Sequence, residues 1–180
     1  MDLDQLAQLT REAAERAEAG PSEAEEAHAD AVERAGRYIG HRPRSERQVR
    51  DKLRELDYEP ETIETAIARL TELKLIDDAD FARRWVDERA RTKGRAPDLL
   101  MSELRAKGVS REVAENALAA SGLDEAAQAV DVAGRLVGKV ARYPLAEQGA
   151  RLYSLLRRRG FAHDHAEAGA RAALPPEGWD

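Results

Sequence analysis

One short polar cluster in the sequence has the residue types of a magnesium site. Asp77-Asp78-Ala79-Asp80 places three carboxylates within four positions, and carboxylate oxygens are the ligands that Mg²⁺ prefers. The same residues also suit the first turn of a helix, where acidic side chains accept hydrogen bonds from free backbone N–H groups. Because no second carboxylate motif completes a metal site, we interpret the cluster as a helix N-terminus.

His163-Asp164-His165 is the other candidate for a metal site. Residues two positions apart lie on different faces of a helix, so the two imidazoles chelate poorly. A zinc site needs further ligands, and the chain has no cysteine. We therefore interpret these histidines as a polar helix start and expect no metal and no cofactor.

Catalytic motifs are absent from the sequence. It has no GxGxxG, GxxxxGK[ST], HExxH or GxSxG pattern. No serine and histidine are arranged as a nucleophile with its base. We predict that the protein is not an enzyme and that it acts by binding a partner.

Basic residues recur along the chain and are the strongest candidates for such binding. Together they predict a positively charged stripe that suits phosphates or an acidic protein surface. Each also has a purely structural interpretation, because cations near helix C-termini stabilise the helix dipole. The predicted partner- or DNA-binding residues are Arg42, Arg44, Arg50, Lys52, Arg54, Arg83, Arg89, Lys93, Arg95, Arg105, Lys107, Arg157, Arg158 and Arg159.

Net charge gives no information about the partner. The 180 residues carry a net charge of −6, and residues 1–30 hold two arginines against nine acidic residues. The remainder is close to neutral, so the overall acidity neither indicates nor excludes nucleic acid. No apolar run approaches the ~18 residues of a membrane span, and the first residues lack an apolar signal core. We expect a cytoplasmic protein with no membrane partner.

The composition and the apolar spacing predict helices throughout. Alanine occurs 34 times, whereas valine, isoleucine and threonine together occur 18 times, and strands favour β-branched residues. Ile63, Ala66, Ile67 and Leu70 follow helical spacing. Ser22 and Glu25 form a capping box that starts a helix at Glu23. Four aromatic residues fall at core-type positions, and we predict that they pack rather than stack on bases: Tyr58, Phe81, Trp85 and Phe161.

The sequence contains a repeat with a period near 51 residues. Leu53 aligns with Leu104 at an offset of 51, and Leu104 aligns with Leu156 at an offset of 52. Each copy is a helix, a turn and a second helix, and a further helix precedes it. We predict an all-α fold of three tandem three-helix repeats in an elongated, curved array. The predicted segments are an acidic helical arm over 1–22, repeats over 23–76, 77–122 and 123–174, and a loose tail over 175–180, with the folding back of Trp179 as the alternative.

The order and spacing of several motifs resemble the RecX family of bacterial recombination regulators. The pattern includes Leu75-Ile76-Asp77-Asp78, Phe81-Ala82, Glu103-Leu104-Arg105 and Lys107-Gly108-Val109. Ser45, Val49 and Leu53 fit the first repeat of the family, and the segment from Leu152 to Phe161 fits the third. The resemblance covers about residues 31–174.

The resemblance implies a regulator that binds the RecA recombinase or its filament on single-stranded DNA, and we separately expect a monomer. The resemblance also implies modulation, in the usual case inhibition, of ATPase, strand-exchange and coprotease activities in DNA repair, homologous recombination and the SOS response, and contact with single- or double-stranded DNA. Ala96-Pro97-Asp98-Leu99 departs from the basic stretch that the family often has. Two alternatives remain, a general helical nucleic-acid-binding protein and a protein scaffold with no nucleic-acid role.

Overall fold

A computed structural model describes Gln5, Gln8, Arg11 and residues 20–176. The predicted helix within the arm and the predicted packing of Trp179 lie outside the described residues, apart from those three positions. Residues 20–176 form helices and no strand, which confirms the all-α prediction. The helices are α1 Glu23–Gly40, α2 Glu46–Glu55, α3 Pro60–Glu72, α4 Asp78–Lys93, α5 Pro97–Ala106, α6 Arg111–Ala120, α7 Glu125–Val140, α8 Leu145–Arg157 and α9 His163–Ala173.

Consecutive helices form triplets in which the first helix packs along the third. These pairs are α1 with α3, α4 with α6, and α7 with α9. The middle helix of each triplet contributes two fully buried apolar residues to the core, and these are the residues that define the repeat: Val49 and Leu53, Leu100 and Leu104, and Leu152 and Leu156. The apolar period in the sequence therefore corresponds to one helical face in each copy. The predicted repeat boundaries stay a prediction.

The chain divides into two compact units. Within residues 20–176, the first unit comprises 20–43 and 48–76, and the second comprises 44–47 and 77–176. The start of α2 therefore belongs with the second unit. Of the helices described between residues 20 and 176, none is long and apolar enough to cross a lipid bilayer.

Helix starts and ends form where the sequence predicts them. Ser22 and Glu25 make both hydrogen bonds of a capping box at the start of α1. Asp77 caps α4, because its Oδ1 accepts from the backbone N–H of Asp80 at 2.9 Å. The acidic cluster is thus a helix start, as predicted. Gly94 ends α4 in the left-handed conformation, which glycine adopts without steric cost.

Within the second unit, two glycine turns dock against the starts of preceding middle helices. The backbone N–H of Ala96 donates to the carbonyl of Arg159 at 2.9 Å, and the equivalent contact joins the Ser45 hydroxyl to the carbonyl of Lys107. The glycine after each carbonyl, Gly108 or Gly160, has φ near +90°. A Cβ added to Gly160 would lie 2.5 Å from the Cβ of Leu99. Glycine is required there by conformation and by space.

Asp78 holds the segment Arg44–Arg47 against α4, because its Oδ1 accepts from the backbone N–H of Glu46 at 2.8 Å. Burial raises the pKa of the Asp78 carboxyl, and the charges of Glu46 and Asp77 add to that rise, whereas the hydrogen bond from Glu46 opposes it. The folded chain thus binds this proton more tightly than the unfolded chain. The contribution of Asp78 to stability is largest at low pH and is lost as pH rises through its folded pKa.

We expect the stability of wild type relative to Asp78→Asn to increase as pH falls from 7 to 4. The asparagine keeps an oxygen that accepts from Glu46, yet it has no charge to desolvate and no proton to bind. The measurement is urea unfolding of both proteins at several pH values. Asp87→Asn, an exposed position on the same helix, serves as the control. A difference between wild type and Asp78→Asn that stays constant with pH, or that changes as it does for Asp87→Asn, would contradict this account.

Candidate partner-binding surface

The three predicted binding residues of α2 each lie beside a carboxylate. The pairs are Arg50 with Glu64, Lys52 with Glu55 at 3.0 Å, and Arg54 with Asp51 at 2.9 Å. Exposed pairs of this kind contribute about 0–1 kcal/mol to stability. Their positive charge is balanced locally, so this part of the predicted stripe presents little net charge to a partner.

Several other predicted residues have separate surroundings. Arg42 is exposed after α1, and Arg44 is half-buried in the segment that belongs with the second unit. Arg83 pairs with Asp80 at 3.2 Å. Lys93 and Arg105 are exposed, and Arg157 donates to the carbonyl of Phe161.

In the second unit, three predicted cations converge with Trp85 and Glu103. The indole N–H of Trp85 donates to Glu103 Oε2 at 2.9 Å. The guanidinium of Arg89 lies 4.1 Å from the centre of the Trp85 ring, and the Lys107 Nζ lies 4.2 Å from it. Arg95 Nε lies 3.4 Å from Glu103 Oε1. A cation over an indole ring gains about 0.5–2 kcal/mol, so the tryptophan holds positive charge at a defined place.

Helical spacing and a turn bring these groups together. Trp85 and Arg89 are one turn apart on α4, Glu103 comes from α5, and Lys107 caps the C-terminus of α5. Phe81 stacks on Trp85 with ring centres 5.9 Å apart. Phe81 is buried, whereas Trp85 is only partly buried. The Trp85 ring therefore both packs against Phe81 and contacts the cations Arg89 and Lys107.

The other predicted aromatic residues also pack against the core. Phe161 is fully buried and Phe81 is buried, which confirms their predicted packing. Tyr58 is partly buried against the core of the first unit, and its hydroxyl donates to Asp30. That bond lowers the pKa of the Asp30 carboxyl.

A second group of arginines lies close to Arg95. Burial lowers the pKa of Arg159, and the charges of Arg95, Arg158 and Arg135 lower it further. Like charges must lie close together to have this effect. The docking of Arg159 against Ala96 places them there. We define the second-unit basic surface by its six cations, Arg89, Arg95, Lys107, Arg135, Arg158 and Arg159.

Sequence reasoning did not find Glu103, Trp85 or Arg135 as members of this group. Arg135 on α7 pairs with Asp131 at 2.8 Å and donates to the carbonyl of Arg91 at 3.1 Å. Glu103 belongs to the family pattern, but the pattern does not indicate its contacts with Trp85 and Arg95, because both of these residues come from other segments. The core-type spacing of Trp85 was visible, but its contacts with cations were not.

The histidine pair has two separate sets of contacts. His163 begins α9, as predicted, and its Nδ1 lies 2.8 Å from the Tyr153 hydroxyl. The Nδ1 of His165 lies 3.3 Å from Glu125 Oε1. The two rings therefore face different neighbours, which agrees with their predicted placement on different faces.

Comparison with known proteins connects this arrangement with a family. Residues 31–70 match the family model for the first three-helix domain of RecX, and residues 77–118 match that for the second. A regulatory protein RecX from Mycobacterium avium is 36% identical over 152 residues, which cover 81% of this chain and 83% of the relative. The chain belongs to the RecX family. The resemblance that the motifs predicted is thus confirmed.

Other RecX proteins differ in length from this one. Regulatory protein RecX of Bacillus subtilis is 33% identical over 132 residues, or 73% of this chain and 50% of the relative. The chain thus spans about half the length of that curated relative. The crystal structure of RecX from Lactobacillus salivarius has the same fold, with a TM-score of 0.70 at 23% identity over 82% of this chain and 97% of that one.

Proposed function

We propose that this RecX-family chain binds RecA recombinase, or its filament on single-stranded DNA, and inhibits its ATPase, strand-exchange and coprotease activities in DNA repair and the SOS response. The observation that carries the proposal is family membership, since both three-helix domains match those of RecX and the named relatives are regulatory proteins. The chain acts as a cytoplasmic monomer, by binding and without turnover.

The second-unit basic surface supplies the physical means of binding. Arg89 and Lys107 are positioned by Trp85 before any partner arrives, so little side-chain entropy is lost when they meet an acidic surface. A bound regulator shifts a filament between states only through its different affinities for them. Inhibition therefore requires tighter binding to the inactive or disassembling filament than to the active one.

A titration tests the proposal directly. The protein is added to RecA that is hydrolysing ATP on single-stranded DNA, and the hydrolysis rate is followed. We expect inhibition at well below one molecule per RecA, because an agent that caps filament growth acts substoichiometrically. The protein with ATP and DNA but without RecA serves as the control for turnover. No effect on RecA at any ratio would refute the proposal.

A general nucleic-acid-binding function is the second candidate, and the closely spaced cations around Arg159 favour it. If that were the main activity, affinity for bare DNA would fall steeply with salt, because each neutralised phosphate releases counterions. Fluorescence anisotropy with a labelled oligonucleotide at several salt concentrations measures the slope. A shallow slope together with strong binding to RecA would reject this candidate, whereas failure to bind either would favour a scaffold.

A further inference from the structure

A cleft in the second unit shares Arg158 with the second-unit basic surface, and its other lining residues lie outside that surface. It has a volume of about 670 Å³ and is formed by the end of α7, the loop that follows it and the outer face of α8. Four cations line it, and Glu147 is its one acidic residue. The cations are Lys139, Arg142, Arg151 and Arg158. This excess of positive charge in a concave site favours an anion.

Tyr143 orders two of the four cations. The guanidinium of Arg151 lies 3.8 Å from the centre of the tyrosine ring, and that of Arg142 lies 4.9 Å from it. Arg142 Nη2 also donates to the Tyr143 hydroxyl at 2.9 Å. Gln148 fixes the loop, because its side-chain amide donates to the carbonyl of Tyr143 at 2.8 Å. The two guanidinium groups are therefore held in place before a ligand binds.

The positive charges of the other two cations, Lys139 and Arg158, are not balanced by a carboxylate of the cleft. Glu147 pairs with Arg151 at 2.6 Å, and both side chains are about half exposed. Among the described residues, no carboxylate lies within ion-pair distance of Lys139 or Arg158. The field of Arg158 extends beyond the cleft, since its charge contributes to the lowered pKa of Arg159. The one carboxylate thus balances one of the four cations.

The start of α8 adds to the positive potential of the cleft. Pro144 precedes this helix and provides no side-chain cap for it. The first N–H groups of a helix carry partial positive charge, which favours a nearby anion. Ala146, in the first turn, lines the cleft.

We propose that this cleft binds phosphate groups. Fork-shaped guanidinium groups match phosphate oxygens in pairs, and Lys139 adds a point charge. The guanidinium groups close to the Tyr143 ring occupy the space that a stacked nucleobase would need, so recognition is of the phosphate and not of a base. The phosphate comes either from a free polyphosphate or from a nucleic-acid backbone. The proposal is independent of RecA binding.

The test uses the full chain and two probes, inorganic pyrophosphate followed by calorimetry and a fluorescein-labelled oligo(dT) followed by anisotropy. Lys139→Ala combined with Arg142→Ala removes two cations of the cleft that are not members of the second-unit basic surface, and it should weaken binding of at least one probe by tenfold or more. Arg37→Ala combined with Arg69→Ala removes two exposed cations outside the cleft and should change affinity by less than twofold. Circular dichroism and thermal unfolding of both double variants verify that each has folded.

The pattern of probe binding identifies the source of the phosphate. Binding of pyrophosphate alone assigns the cleft to free polyphosphates, whereas binding of oligo(dT) alone assigns it to a nucleic-acid backbone. Three outcomes would overturn the proposal: neither probe binds, both double variants lose equal affinity, or citrate and polyglutamate bind as tightly as the phosphate probes. Because no RecA is present, failure here leaves the proposed regulatory function untouched.

Discussion

Reversing the charge of Arg105 and Lys107 together is expected to raise the concentration needed to inhibit RecA by about tenfold or more, since like charges brought together across an interface repel one another. Lys107 lies over the Trp85 ring, and Arg105 is exposed in the last turn of α5. Replacement of both by glutamate turns attraction to an acidic or phosphate surface into repulsion. The readout is the RecA ATPase titration.

A matched control separates this local effect from a change in net charge. Arg37 and Arg69 are also exposed cations in the last turns of helices, α1 and α3, so their replacement by glutamate loses the same favourable interaction with a helix dipole. That loss is about 0.3–1 kcal/mol of stability at each position. We expect the control protein to inhibit as the wild type does. Equal impairment in both variants, or none in either, would remove Lys107 from the binding surface and would show that Arg105 has no part in binding.

Gly160→Ala is expected to lower the free energy of unfolding by about 3 kcal/mol, of which about 1–2 kcal/mol is backbone strain at positive φ and the rest is steric overlap. The added Cβ would lie 2.5 Å from the Cβ of Leu99 and 3.0 Å from its backbone nitrogen. Neither atom is the mobile end of a side chain, so relief requires the docked turn to move. The measurement is urea unfolding followed by circular dichroism.

Gly122→Ala is the control for conformation alone. Gly122 has φ of +61° and no atom within 4 Å of an added Cβ. We expect this variant to lose about 1 kcal/mol, the usual cost of a left-handed residue with a side chain. If Gly160→Ala were no more destabilised than Gly122→Ala, the turn would not be docked as tightly as the structure has it.

The helices and their repetition could be predicted from the sequence because both depend on local patterns. Apolar spacing determines a helical face, and Leu53, Leu104 and Leu156 mark the same position in successive copies. Helix starts at Ser22 and Asp77 follow from hydrogen bonds that span three residues. Such short-range rules need no knowledge of the tertiary structure.

The surface could be predicted only in part, because its members meet through space. The sequence shows that Arg50 and Lys107 are basic, but not that Arg50 faces Glu64 on another helix while Lys107 lies over Trp85. Helical spacing alone does not show whether an aromatic residue is wholly part of the core or is partly exposed and also contacts cations. Arg142 and Arg151 were missed because Tyr143, which orders them, lies in a loop without a periodic pattern.

The three glycine-type turns differ in one position. Asp57, Gly108 and Gly160 each donate a backbone N–H to the carbonyl three residues earlier, at 3.0 Å, and each has a positive φ. Only Asp57 has a Cβ, and it is exposed. If a gene duplication placed the Asp57 turn in an inner repeat, the Asp57 side chain would occupy a position where only the hydrogen atom of a glycine fits. The repeats are therefore not interchangeable. A chain with the same repeats in another order would need a glycine at position 57 before that turn could dock as Gly108 and Gly160 do.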